Sequence, residues 1–153
     1  MTAPAASSFV APEAPAVSPA RVLLVDDDEV LLRSYARALS GEGYEVETHL
    51  DGESALEAMN VRQFDVVLSD LDMPRLGGLA LLERIRAHDL DVPVVLITGC
   101  PTLDTAIAAI EHGALRYVPK PVDATKLRIV LQPGLIGNIR LEQIVFQGGP
   151  VPR

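Results

Sequence analysis

The chain has 153 residues, a formal net charge of −8 at pH 7, 48% hydrophobic and 4% aromatic residues, no Trp and a single cysteine, Cys100. That length suits one domain with a core large enough to stand without a structural metal, and a lone cysteine rules out an internal disulfide framework. The acidic balance and scarcity of aromatics argue against a nucleic-acid or anionic-membrane surface, which needs clustered positive charge and stacking rings. No apolar run approaches the roughly 18 residues of a membrane span.

Residues 1–20 are rich in Pro, Ala and Ser with one charged residue, Glu13, and such a stretch cannot bury enough apolar surface to offset its ordering entropy. A flexible tail is expected there. It has neither a basic leader nor an unbroken apolar stretch, so no secretory signal is read and a cytoplasmic location is expected.

From Arg21 short apolar runs alternate with segments of helical period, the pattern of successive βα units over a parallel sheet. RVLLVD (21–26) reads as the first strand. A helix over about 28–40 follows, with Val30, Leu31, Tyr35, Ala38 and Leu39 in period and Gly41 and Gly43 ending it. YEVETH (44–49) alternates like a more exposed strand, Asp51-Gly52 is turn chemistry, and Ser54 to Val61 carries Ala55, Leu56 and Met59 on one helical face.

DVVLS (65–69) is the third strand. Pro74 and Gly77-Gly78 make a loop before a helix from Leu79 to His88, with Leu79, Leu82, Ile85 and Arg86 in period. PVVLIT (93–98) is the fourth strand, Pro101 suits the first turn of a helix running to about Glu111, and Gly113 is a C-cap before the fifth strand, ALRYV (114–118). Asp123 caps a last helix through Leu131. Five strands and five helices in strict alternation fit a doubly wound α/β sheet, whose functional groups collect at the carboxyl ends of the strands.

Asp26, Asp27, Asp28 and Glu29 follow the first strand. Two carboxylates about 5 Å apart repel by roughly 3 kcal/mol at an effective dielectric near 20, so such a cluster calls for a cation or a shifted pKa. A hard divalent ion such as Mg²⁺ suits oxygen ligands; equally, Asp27 or Asp28 can simply cap the next helix. Asp70, Leu71, Asp72, Met73 and Pro74 leave the third strand, Thr98 and Gly99 the fourth, and Lys120 and Pro121 the fifth. Each is bland alone, but a carboxylate nucleophile, an acidic pair, a hydroxyl and an ammonium on one rim make a site for holding and transferring a phosphoryl group.

LLVDDDE, SDLDMP, LITG and YVPKP resemble the four signature segments of response-regulator receiver domains, the phospho-accepting partners of two-component histidine kinases. The intervals also fit: 43 residues from Asp27 to Asp70, 28 to Thr98 and 22 more to Lys120. The resemblance implies a flavodoxin-like receiver fold, a five-stranded parallel sheet in the order 2-1-3-4-5 flanked by five helices, over about residues 21–132. It implies Asp70 as the phosphoryl acceptor from a sensor histidine kinase or phosphotransfer protein, forming an aspartyl phosphate. Mg²⁺ would be held by Asp26, Asp27, Asp70 and the backbone carbonyl of Asp72, with Asp28 starting the helix.

Lys120 and Thr98 would contact phosphoryl oxygens, and Lys120-Pro121 is a candidate cis bond. Tyr117 would be the aromatic that changes rotamer with Thr98, although a half-buried strand aromatic reads the same way. The remodelled surface would be the fourth helix, fifth strand and fifth helix, the family's usual face for dimerisation or output contacts. Asp72 and Cys100, two residues beyond Asp70 and Thr98, stand where side chains tune phosphoryl lifetime, and Asp72 suits a short one. Cys100 otherwise reads as a small helix-start residue, and His49, His88 and His112 as surface residues without metal-ligand spacing.

Two rivals are weighed against this. Asp70-Leu71-Asp72 superficially matches the DxD signature of haloacid-dehalogenase phosphatases, but position 74 is Pro and the motif sits on the third strand rather than the first. A receiver-like interaction module without phosphorylation is disfavoured because all the expected site residues are present. Beyond Leu131, Pro133-Gly134 interrupts the last helix. Residues 133–153 form an extension in which Ile139 to Phe146 could be a helix or a strand, its apolar side covered by a second subunit, or else the stub of a truncated multidomain regulator. An effector domain does not fit in that length.

Overall fold

The computed structural model describes residues 19–88 and 90–131. The expected tail before residue 19 and the extension after Leu131 lie outside them. The elements in chain order are β1 (Arg21–Val25), α1 (Glu29–Gly41), β2 (Glu45–His49), α2 (Gly52–Val61), β3 (Val66–Asp70), α3 (Gly78–Ala87), β4 (Val94–Thr98), α4 (Leu103–Glu111), β5 (Arg116–Pro119) and α5 (Ala124–Val130). All strands are parallel, in the order β2-β1-β3-β4-β5, as the resemblance implies.

Helices on both faces bury the central strands, so Val66–Asp70 and Val94–Thr98 are buried at every position, apolar runs that end in the polar Ser69-Asp70 and Thr98. On one face Val22, Leu24, Val66, Leu68, Val95 and Ile97 pack against Leu32, Tyr35 and Leu39 of α1 and Leu127 and Val130 of α5. On the other, Leu23, Val25, Val67 and Leu96 meet Ala55 of α2, Leu81, Leu82 and Ile85 of α3 and Ala109 of α4. Only two α4 side chains, Ala106 and Ala109, are buried, and Leu103, Ile107 and Ile110 are exposed on it.

Helix starts follow side-chain chemistry. Asp28, Asp51, Thr102 and Asp123 are the N-caps of α1, α2, α4 and α5, each accepting from first-turn amides. The expected first-turn role of Pro101 is therefore corrected: the Thr102 hydroxyl outcompetes it as the start signal, and Pro101 stands outside the helix. Val30 is also corrected, since it is 75% exposed while Leu32 takes the inward position; Leu32, Tyr35 and Leu39 are spaced by three and four residues on one face, whereas Val30 lies about 140° of turn from Tyr35. The fifth strand begins at Arg116 because Gly113, at φ +81°, and the next two residues complete the turn out of α4.

Register levels the strand ends. Val25 pairs with Ser69, Asp70 with Ile97, and Thr98 with Pro119. The next residues along β1 and β5, Asp26 and Lys120, thus arrive on the rim that Asp70 and Thr98 already occupy.

Candidate functional site

Among the described residues, Asp26, Asp70 and Thr98 are, with Ser69, the buried polar side chains. Two hydrogen bonds hold the buried Asp26 in place: its backbone amide donates to the His49 carbonyl at 3.1 Å, and its carboxylate accepts from the Asp28 amide at 2.9 Å. Asp70 accepts from the Asp72 amide at 3.3 Å. Lys120 Nζ stands 3.4 Å from Asp26 Oδ2 and 3.4 Å from Asp70 Oδ2, so one ammonium bridges two buried carboxylates. The Lys120-Pro121 peptide is cis.

The electrostatics are those of a crowded, partly desolvated acid cluster. Burial pushes the Asp26 carboxyl above its ordinary value, opposed by the Asp28 amide and reinforced by the Asp70 charge. Asp70 is likewise raised by burial, with Lys120 pulling the other way. Burial alone would lower the Lys120 ammonium, but Asp26 and Asp70 outweigh it and hold it above its usual value. Tyr35 lies beneath the same cluster, its phenol raised by burial and lowered by Lys120.

Asp27 is exposed, yet one carboxylate oxygen each from Asp26, Asp27 and Asp70 lie within 4.8 Å of one another, an arrangement that could hold a metal ion. An all-oxygen, doubly buried donor set with one solvent-facing member suits a hard divalent cation that keeps several waters. Asp28 takes the bland alternative, its Oδ1 capping Val30 and Leu31. The Asp72 carboxylate stands apart from the trio and accepts from Thr98 Oγ1 at 3.0 Å. That bond went unread in the sequence, which placed Asp72 in range of Asp70 but gave no sign of where its side chain turns.

Tyr117 is half-buried against the α2/α3 side of the sheet. Its hydroxyl is 2.6 Å from Thr105 Oγ1 and accepts from the Thr102 amide at 3.2 Å, a contact to the capping pair of α4 that the sequence reading missed. Cys100 is exposed, and its amide donates to Thr98 Oγ1 at 3.0 Å. His88 is exposed, whereas His49 and His112 are half-buried and face Glu47 at 2.8 Å and Glu83 at 3.0 Å.

A parallel sheet of this order, with an acid cluster, a buried hydroxyl and a bridging lysine on its carboxyl rim, is the architecture of a phospho-accepting signalling domain. The family model for the response regulator receiver domain matches residues 22–132, and the chain belongs to that family. Over 102 residues, 67% of this chain and 22% of the relative, it is 41% identical to the DNA-binding transcriptional regulator NtrC of Escherichia coli. It is 40% identical to the transcriptional regulatory protein PrrA of Mycobacterium leprae over 69% of this chain and 45% of that protein.

Among solved structures, chemotaxis protein CheY4 of Vibrio cholerae superposes with a TM-score of 0.72 at 30% identity, covering 74% of this chain and 97% of that one. The chain thus spans less than half the length of these curated relatives and nearly all of the solved receiver. The phosphatase alternative is not favoured, since Asp70 ends β3 rather than the first strand. Among the described residues no helix is long and apolar enough to cross a membrane.

Proposed function

We propose that Asp70 accepts a phosphoryl group from the phosphohistidine of a sensor kinase or phosphotransfer protein, and that the resulting aspartyl phosphate resets the surface of α4, β5 and α5. The observation that carries this reading is Lys120 bridging Asp26 and Asp70 at 3.4 Å beside a trio of carboxylates. In the transfer an Asp70 carboxylate oxygen forms the new P–O bond as the donor's P–N bond breaks, and the imidazole keeps the electron pair and takes a proton. Mg²⁺, held by Asp26, Asp27, Asp70 and the Asp72 backbone carbonyl, would offset the charge of acceptor and donor.

The remaining work falls to side chains. The Lys120 ammonium, already aimed between the two carboxylates, follows the incoming phosphoryl oxygens. Thr98 supplies a hydroxyl to another of them. Chemistry is confined to the domain itself, phosphoryl gain and autodephosphorylation. The exposed Leu103, Ile107 and Ile110 of α4, spaced along one side of the helix, support its face as the one offered to a partner or a second copy.

The test is incubation with Mg²⁺ and acetyl phosphate, followed by intact-mass measurement. An acid-stable, base-labile phosphoryl adduct is expected, absent in Asp70→Asn; no adduct on the wild type, or an undiminished one on the variant, would defeat the reading.

A further inference from the structure

We infer that Asp72 and a phosphoryl oxygen on Asp70 compete for one donor, the Thr98 hydroxyl, so that Asp72 is the residue that holds the unmodified state of the rim. This rests on the phospho-acceptor reading of Asp70 and assigns Asp72 a positioning role beyond any effect on phosphoryl lifetime.

Thr98 is fully buried, at 0% exposure. Its hydroxyl carries one proton, which goes to Asp72 Oδ2 at 3.0 Å, while its oxygen accepts from the Cys100 amide at 3.0 Å. A hydroxyl with one proton serves one acceptor at a time, and a buried one finds no water to replace a lost partner. Thr98 therefore leaves Asp72 only when another anionic oxygen takes its place. Asp72 is exposed and is solvated on release, so the exchange asks little of its carboxylate.

The geometry also links the two competitors directly. The Asp72 amide donates to Asp70 Oδ1 at 3.3 Å while its carboxylate holds Thr98. One residue thus touches the acceptor with its backbone and the hydroxyl with its side chain. A negative charge at this point both retains Thr98 before modification and repels the phosphoryl group after it.

Two measurements on the intact chain test this. In unmodified protein, three-bond couplings to the Thr98 methyl carbon are expected to report one χ1 rotamer, and averaged rotamers in Asp72→Ala; identical couplings in both would overturn the latch. Beryllofluoride is then titrated in the presence of Mg²⁺ into wild type, Asp72→Ala, Thr98→Val and the double variant. Removing Asp72 is expected to tighten binding about tenfold or more when Thr98 is present, the reach of one charge-assisted hydrogen bond, and less than about twofold in the Val background, where only charge relief remains. Equal tightening in both backgrounds, or none, overturns the competition while leaving Asp70 as acceptor. Failure of the wild type to bind beryllofluoride overturns the phospho-acceptor reading and the exchange with it, and the rotamer measurement separates that case.

Discussion

The Tyr117 hydroxyl and Thr105 Oγ1 lie 2.6 Å apart, a hydrogen bond that ties the edge strand β5 to the first turn of α4. Because α4 is otherwise held by Ala106 and Ala109, small side chains with little area to bury, this polar contact is a large part of its anchorage. Tyr117→Phe is expected to cost about 1 kcal/mol locally, seen as roughly fivefold faster amide exchange in the first turns of α4 with a nearly unchanged global melting temperature. Unaltered exchange there would show that α4 is anchored without Tyr117.

Lys120 separates two buried carboxylates, and removing it leaves them facing each other. Lys120→Ala is expected to lower stability at neutral pH by about 2 kcal/mol. That is less than for a wholly buried pair, because the Lys120 side chain is 25% exposed. Denaturant titration with and without excess Mg²⁺ checks this, with the ion expected to restore most of the loss.

Asp70→Asn is expected to stabilise the ion-free protein at neutral pH by on the order of 1 kcal/mol. It relieves part of the roughly 3 kcal/mol by which carboxylates about 5 Å apart repel, and gives up the Lys120 attraction. The pH dependence follows from direction alone. Asp26 and Asp70 are both held above the ordinary carboxyl value of 3.8, so between the unfolded and folded values the folded chain binds more protons. Their contribution is fully present below 3.8 and is lost as pH rises through the folded values. The variant's advantage should therefore shrink as pH falls into that window, and a melting series from neutral to acid pH reads it.

Gly78 opens α3 against the end of β3, where an added Cβ would sit 2.5 Å from the Asp70 carbonyl oxygen. Gly78→Ala is expected to destabilise by about 2 kcal/mol or more and to weaken Mg²⁺ binding by shifting Asp70 itself, whereas Gly41→Ala, with nothing within 4 Å, should do neither. Calorimetric titration of both variants distinguishes a local wedge from a general glycine effect.

Much of this was legible in the chain. Alternation of apolar runs and helical period set the sheet and its helices, because burial on both faces leaves the strands no polar alternation to hide. The rim residues Asp26, Asp70, Thr98 and Lys120 were readable for the same reason: each ends a run whose register is fixed by burial. What escaped reading was side-chain direction across elements. Asp72 bonds Thr98 from 26 residues away, and Tyr117 meets Thr105 across a turn, contacts that depend on rotamers rather than on period. The inward face of α1 lies in the spacing of Leu32, Tyr35 and Leu39, a period that Val30 does not share.

Arg86, counted in the sequence among the apolar positions of α3, gives the rim its mechanics. Its guanidinium donates to the carbonyls of Leu90 at 2.7 Å and Val92 at 2.9 Å, just before β4, and of Gly113 at 3.0 Å, just before β5. The two strands carrying Thr98 and Tyr117 are thus riveted to a common base at their amino ends and free of that rivet at the other. Removing the guanidinium would therefore loosen the starts of β4 and β5 together while leaving the hydrogen bonds of the rim itself in place.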